Sequence, residues 1–134
     1  MEAMVFDASA AIACAVPDES PPNAIRNAAR MRPLIAPCIW PFEAYNVLWM
    51  MRRKARMTEA DYAMALAMIG GFCVELDAPL LDRVRIDVMA LATEHTLTVY
   101  DASYLELAQR RRLPLATLDN DLRKAAKKVK VKLI

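Results

Sequence analysis

Short apolar runs punctuate the chain, each closed by proline or polar residues, and longer stretches with apolar positions at helical spacing lie between them. Met4–Asp7 reads as a strand and Ala8–Ala15 as a small helix that stops before Pro17. Asp18-Glu19-Ser20-Pro21-Pro22 is a loop, Asn23–Met31 a polar helix, and Leu34-Ile35-Ala36 a second strand held between prolines. From Cys38 to Arg53 the period is helical, with Pro41 in the first turn, where a missing N–H costs no hydrogen bond. Thr58 followed by Glu59 and Asp61 predicts a capped helix start, and Gly70-Gly71 its end. Cys73–Leu76 is strand-like, Leu80–His95 and Ala102–Arg112 are helical, Leu113–Leu118 is a strand, Asn120–Lys128 a helix, and Val129–Leu133 a final strand. Short strands separated by helices predict an α/β domain with a short, mainly parallel central sheet flanked by helices.

No repeat, linker or low-complexity tract interrupts this pattern. The 134 residues suffice for one domain with a sizeable core, and 57% of them are apolar. No apolar run approaches the ~20 residues a membrane helix needs. Glu2 and Asp7 near the N-terminus, without a basic region, argue against a signal peptide. Cys14, Cys38 and Cys73 are odd in number and widely spaced, which fits small buried hydrophobes better than a disulfide framework or a zinc site. The expected location is therefore the reducing cytoplasm.

The chemistry is carried by acids set in apolar runs. Asp7 ends Met4-Val5-Phe6, Glu43 lies inside Trp40-Pro41-Phe42-Glu43-Ala44-Tyr45, Asp101 follows Leu97-Thr98-Val99-Tyr100, and Asp119 ends Leu115-Ala116-Thr117-Leu118. A carboxylate in apolar surroundings costs several kcal/mol unless compensated. Two of them about 4 Å apart repel by roughly 4 kcal/mol at an effective dielectric near 20. If the four converge, a divalent cation is the economical remedy. Asp7 and Asp119 fall at strand ends, where open α/β sheets place their sites. Asp101 is expected to open a helix at the same edge. Glu43 shares a helix face with Asn46, Val47 and Met50, so it is expected to point inward. Helix capping is the competing explanation for each Asp singly. It does not account for Glu43, or for three caps with the same apolar-run-then-Asp syntax.

Net charge is only +2, but most of the 18 basic residues are concentrated in Arg52-Arg53-Lys54 with Arg56, in Arg110-Arg111-Arg112, and between Arg123 and Lys132. Such blocks suit either phosphate contacts or solvated helix ends. The alternation Lys130-Val131-Lys132-Leu133 also suits a protected edge strand.

The segments Val5-Phe6-Asp7-Ala8-Ser9, Pro41-Phe42-Glu43-Ala44-Tyr45-Asn46-Val47-Leu48, Tyr100-Asp101-Ala102-Ser103-Tyr104-Leu105 and Ala116-Thr117-Leu118-Asp119-Asn120-Asp121-Leu122 together resemble a PIN-domain ribonuclease of the VapC toxin type. The resemblance implies a single three-layer α/β/α domain over residues 1–134. It also implies an acidic quartet of Asp7, Glu43, Asp101 and Asp119 binding one or two Mg²⁺ or Mn²⁺ ions. Ser9, Thr117 and Asn46 match supporting positions, and Asp121 is either a further ligand or a first-turn helix acid. The implied activity is metal-dependent endonucleolytic cleavage of a structured RNA such as a transfer RNA, leaving a 5′-phosphate and a 3′-hydroxyl. The implied partners are a cognate antitoxin and a second copy of the chain. Arg52, Arg53, Arg110, Arg111 and Lys124 are the candidate phosphate contacts. Trp49-Met50-Met51 and Met64–Met68 are read chiefly as core, with an antitoxin groove as the alternative.

Oxygen-only ligands suit hard cations. With His95 the only histidine, a two-histidine metal-free ribonuclease is excluded, and His95 itself reads as an ordinary helix end. Two glycines and no G-x-x-x-x-G-K-[ST] motif disfavour a phosphate cradle. Two other classes remain open: another α/β metallo-phosphohydrolase, and a catalytically inert PIN-like module that binds RNA or protein. Asp7-Ala8-Ser9 lacks the paired acids a phosphatase or receiver domain would carry.

Overall fold

A computed structural model describes all of residues 1–134. The elements run β1 Met4–Phe6, α1 Ala8–Ala15, α2 Asn23–Met31, β2 Leu34–Pro37, α3 Trp40–Arg53, α4 Glu59–Gly71 and β3 Val74–Asp77. Next comes a continuous helical run of α5 Leu81–Arg83, a π turn Val84–Val88 and α6 Met89–His95. The chain ends with α7 Val99–Arg111, β4 Leu115–Ala116 and α8 Asn120–Lys128.

The four strands form one parallel sheet in the order β3-β2-β1-β4. Every residue of β1, β2 and β4 is buried, as expected of parallel strands covered on both faces. Helices α1, α3 and α4 pack on one another, and α7 packs across β1, β2 and β4 with α6 and α8 beside it. The core is continuous through the sheet. Phe6 of β1 meets Trp40 and Phe72 at centroid distances of 6.3 and 5.1 Å, and Tyr104 of α7 is wholly buried.

Chain order places β2 and β3 on one side of β1 and returns to the other side only with β4. The crevice at the carboxyl ends of β1 and β4 is therefore a topological switch point, the usual place for a site in such a sheet.

Five expectations need correction. Asp101 does not open its helix: Thr98 caps α7 by accepting the Asp101 N–H at 3.0 Å, so Asp101 lies inside the first turn. The expected last strand shrinks to a single bridge between Leu115 and Leu133, because the left-handed Lys130 (φ 61°) bends the chain just before it. The helix expected over Leu80–His95 carries the π turn, which periodicity alone does not distinguish. Trp49, Met64 and Met68 are exposed and not core, since Ala44, Leu48, Ala65 and Ile69 already fill the inner faces of α3 and α4. The cysteines are free but none is fully buried, and Cys73 is exposed beside the edge strand β3.

Candidate functional site

Each of the four predicted carboxylates sits at a helix N-terminus. Asp7 is the last extended residue before α1 and Asp119 the last before α8, while Glu43 and Asp101 occupy the first turns of α3 and α7. The parallel topology aims these N-termini at the switch-point crevice, and their dipoles favour negative charge there. The structure brings all four together. Asp7, Glu43, Asp101 and Asp119 line one open cavity of about 470 Å³ with Ser9, Ile12, Val47 and Leu118.

The cavity also receives Glu19, a fifth acid from the loop before α2. Sequence reasoning missed it because a loop has no periodicity to say where a side chain points. Asn46 and Asp121 are exposed and do not line the cavity. Asp121 nevertheless lies near enough for its charge to act on Asp101.

Asp7 is the most deeply set of the four, 4% exposed. Its Oδ2 accepts hydrogen bonds from the Ser9 and Thr117 hydroxyls, both at 2.6 Å. Those hydroxyls accept in turn from the Leu118 and Asp119 amides at 3.0 and 3.1 Å. The network ties β4 to the first turn of α1 and leaves Asp7 Oδ1 without a side-chain donor. Asp119 does cap its helix, accepting the Leu122 N–H at 2.8 Å, so its capping and site roles coexist. Asp7 occupies a cap position but makes no capping bond with its side chain. Glu43 accepts from the Tyr104 hydroxyl at 2.6 Å, a contact reaching from α7 to α3 that nothing in the spacing announced.

None of the four carboxylates has a cationic partner; every ion pair lies elsewhere. Their proton affinities record this. Burial raises the pKa of Asp7 despite the bonds from Ser9 and Thr117. Burial also raises that of Glu43, with help from the charges of Asp7 and Asp101 and against the Tyr104 bond. Asp101 is pushed up to about 6, first by burial and then by repulsion from Asp119 and Asp7. The Tyr104 phenol, buried beside Asp7 and Glu43, is driven well above its ordinary range and stays a donor.

Uncompensated, oxygen-only and convergent, this donor set fits a hard divalent cation. In the present side-chain rotamers no three of the acids close into a ready cage. A second cavity, about 140 Å³ and mostly apolar, opens between the end of β3 and the π turn. Its acids Asp77 and Glu106 are both ion-paired to Arg83 and Arg110, so it lacks the uncompensated carboxylates of the switch point.

Of the basic candidates, Arg52 pairs with Glu59 at 3.0 Å and stacks over Trp49 and Tyr62. Arg110 bonds Glu106 and Asp77 at 2.8 and 2.6 Å, and Arg111 lies 3.9 Å from Glu75. Arg53 and Lys124 are exposed and have no acidic partner. His95 ends α6 as expected, with Nε2 buried, 3.9 Å from Glu94 and without a hydrogen-bond partner.

The fold and the crevice define a class: a parallel α/β domain with uncompensated carboxylates gathered at the carboxyl edge of the sheet. Residues 4–128 match the PIN domain, and the chain belongs to that family. It is 34% identical over 119 residues to Ribonuclease VapC3 of Pyrobaculum aerophilum, covering 89% of this chain and 91% of that protein. It is 37% identical over 85 residues to Exonuclease VapC9 of the same organism, covering 60% and 58% respectively. Among solved structures it resembles PAE2754 from Pyrobaculum aerophilum, with a TM-score of 0.65 and 32% identity over 93% of this chain and 84% of the other.

Proposed function

We propose that the chain is a divalent-cation-dependent endoribonuclease that acts in the cytoplasm as the toxin of a toxin–antitoxin pair. The observation that carries this reading is the convergence of Asp7, Glu43, Asp101 and Asp119 on one cavity without a single cation to balance them. Membership of the PIN family and similarity to VapC ribonucleases support it.

When bound, one Mg²⁺ or Mn²⁺ ion would offset half of the charge of the four carboxylates and two would offset all of it, and the metal would supply Lewis acidity toward a phosphodiester. Asp7, Asp101, Asp119 and Glu43 would hold them, with Asp121 and Glu19 close enough to add charge. Ser9 and Thr117 fix the Asp7 carboxylate by holding one oxygen and leaving the other to the cavity. Tyr104 does the same for Glu43 through a single short bond. Exposed Phe42, Trp49, Met64 and Met68 give an antitoxin or a second copy apolar surface to cover.

The test is incubation of purified, partner-free protein with transfer RNA and with covalently closed RNA, in Mn²⁺ or Mg²⁺, beside EDTA and an Asp101→Asn control. Metal-dependent opening of the closed RNA, lost by at least about 100-fold in the control, is the expected result. Cleavage of free ends alone would make the chain an exonuclease, as VapC9 is named. A catalytically inert module is the rival that the open spacing of the acids favours. Folded protein that binds no metal and cuts no RNA would establish it.

A further inference from the structure

The basic block at the end of the chain has no part in the site described so far, and the fold gives it a shape. Helix α8 begins at Asp119 in the acidic crevice and runs about 13 Å toward the opposite edge of the sheet. Lys124, Lys127 and Lys128 share its outward face at i, i+3 and i+4 spacing, while Leu122, Ala125 and Ala126 are buried. Where α8 ends, a cleft of about 410 Å³ opens between the end of α7 and the C-terminal segment. Gln109, Arg112, Lys130 and Lys132 line it.

Arg112 and Lys130 both adopt left-handed backbone, at φ 54° and 61°, where the chain turns out of α7 and out of α8. The one acid lining the cleft, Glu2, is taken by Arg32 at 3.6 Å. None of Lys124, Lys127, Lys128, Lys130, Lys132 and Arg112 has an acidic partner, and all are exposed. The helix dipole explains Lys127 and Lys128 at the C-terminal turn. It does not explain Lys124, or the three cations that gather in the cleft from two other segments.

We propose that this cationic track, from Lys124 in the middle of α8 to the Arg112–Lys130–Lys132 cleft, holds the phosphate backbone of an RNA whose scissile bond lies at the acidic crevice. The proposal rests on the reading of the chain as a ribonuclease and says where its substrate runs. Crevice and cleft lie at opposite ends of β1, about 16 Å apart along the strand from Glu2 to Asp7. Double-stranded-RNA-binding domains follow a duplex for about 16 base pairs, much further than this separation, so one structured RNA is long enough to reach both. Cations that contact phosphate release counterions, giving a salt dependence that counts the contacts.

The experiment measures binding of labelled, unfractionated transfer RNA in EDTA, which keeps the RNA intact, across about 50 to 200 mM salt. Wild type is compared with a track variant, Lys127→Gln/Lys130→Gln/Lys132→Gln. The charge-matched control is Arg26→Gln/Arg30→Gln/Arg85→Gln, three exposed cations outside every basic block. Circular dichroism checks that each is folded. The track variant is expected to bind about 10- to 100-fold more weakly, with a log–log salt slope shallower by about 3, and the control to stay near wild type. Equal losses in both variants would mean general charge attraction and overturn the track, as would an unchanged slope or no binding by wild type. Binding that depends on the track, in a protein that never cuts RNA with metal, would sink the ribonuclease reading and leave the track standing.

Discussion

Thr117 shows how much a single small side chain carries. It is completely buried, donates to Asp7 at 2.6 Å and accepts from the Asp119 amide at 3.1 Å, so it ties the Asp7 carboxylate to the backbone that carries Asp119. Thr117→Val keeps the volume but removes both bonds and leaves a buried carboxylate short of a donor. The expected cost is about 1–3 kcal/mol at neutral pH, read from urea denaturation. Outer-shell partners of metal ligands typically govern affinity by about 10- to 100-fold, and a Mn²⁺ titration of the variant should weaken in that range. Normal Mn²⁺ affinity in a destabilised variant would reduce Thr117 to a structural role. The carboxylates themselves were legible in the sequence because each interrupts an apolar run. Tyr104 was not, since an aromatic residue at a core position of a helix announces burial and says nothing of a hydroxyl aimed at another helix.

At the scale of elements, edge strand β3 has only one neighbour in the sheet, and side-chain pairing fastens its end to α7. Asp77, at the end of β3, and buried Glu106, on α7, share Arg110 and Arg83. Glu106→Ala would leave two arginines with one acid between them at a half-covered position. Its cost is expected near 2–4 kcal/mol, seen as a lower urea midpoint. Glu59→Ala, which breaks an exposed pair with Arg52, should leave the midpoint where it was. Equal effects would mean that the network contributes no more than a surface pair. The order and type of most elements followed from periodicity and caps, and α1, α2 and α8 match the expected bounds. Asp101 was expected to open its helix, and the helix begins ahead of it, at Val99. Val99 and Tyr100 have strand propensity, but Thr98 is an effective cap and starts the helix before Asp101.

For the molecule as a whole, the crevice couples folding to protons and to cations. Asp7, Glu43 and Asp101 all bind a proton more tightly in the folded chain than in the unfolded one. Their contribution to stability is therefore fully present below the unfolded carboxyl range, around pH 4, and is lost as pH rises through the folded value, about 6 for Asp101. Metal-free protein should melt a few degrees lower at about pH 7.5 than at about pH 5.5. Mn²⁺ should raise the melting temperature more at the higher pH, where the carboxylates are ionised and free to bind it. A metal-free melting temperature that climbs across this interval, or a Mn²⁺ effect independent of pH, would contradict the coupling. Differential scanning fluorimetry in the two buffers, with and without EDTA, is sufficient.

The α/β class, the parallel sheet and the identity of the four acids could be read from the chain because they rest on local rules: periodicity, caps, and the cost of charge in apolar runs. Which acids meet, which cations are already paired and which remain free could not. Those depend on the return of β4 to the far side of β1, which draws Asp119 and Thr117 to Asp7 across more than a hundred residues of sequence. The same return lays α8 and the C-terminal lysines against the end of α7. Side-chain charges act over a few ångströms in space, and only the closed fold says which residues are that near.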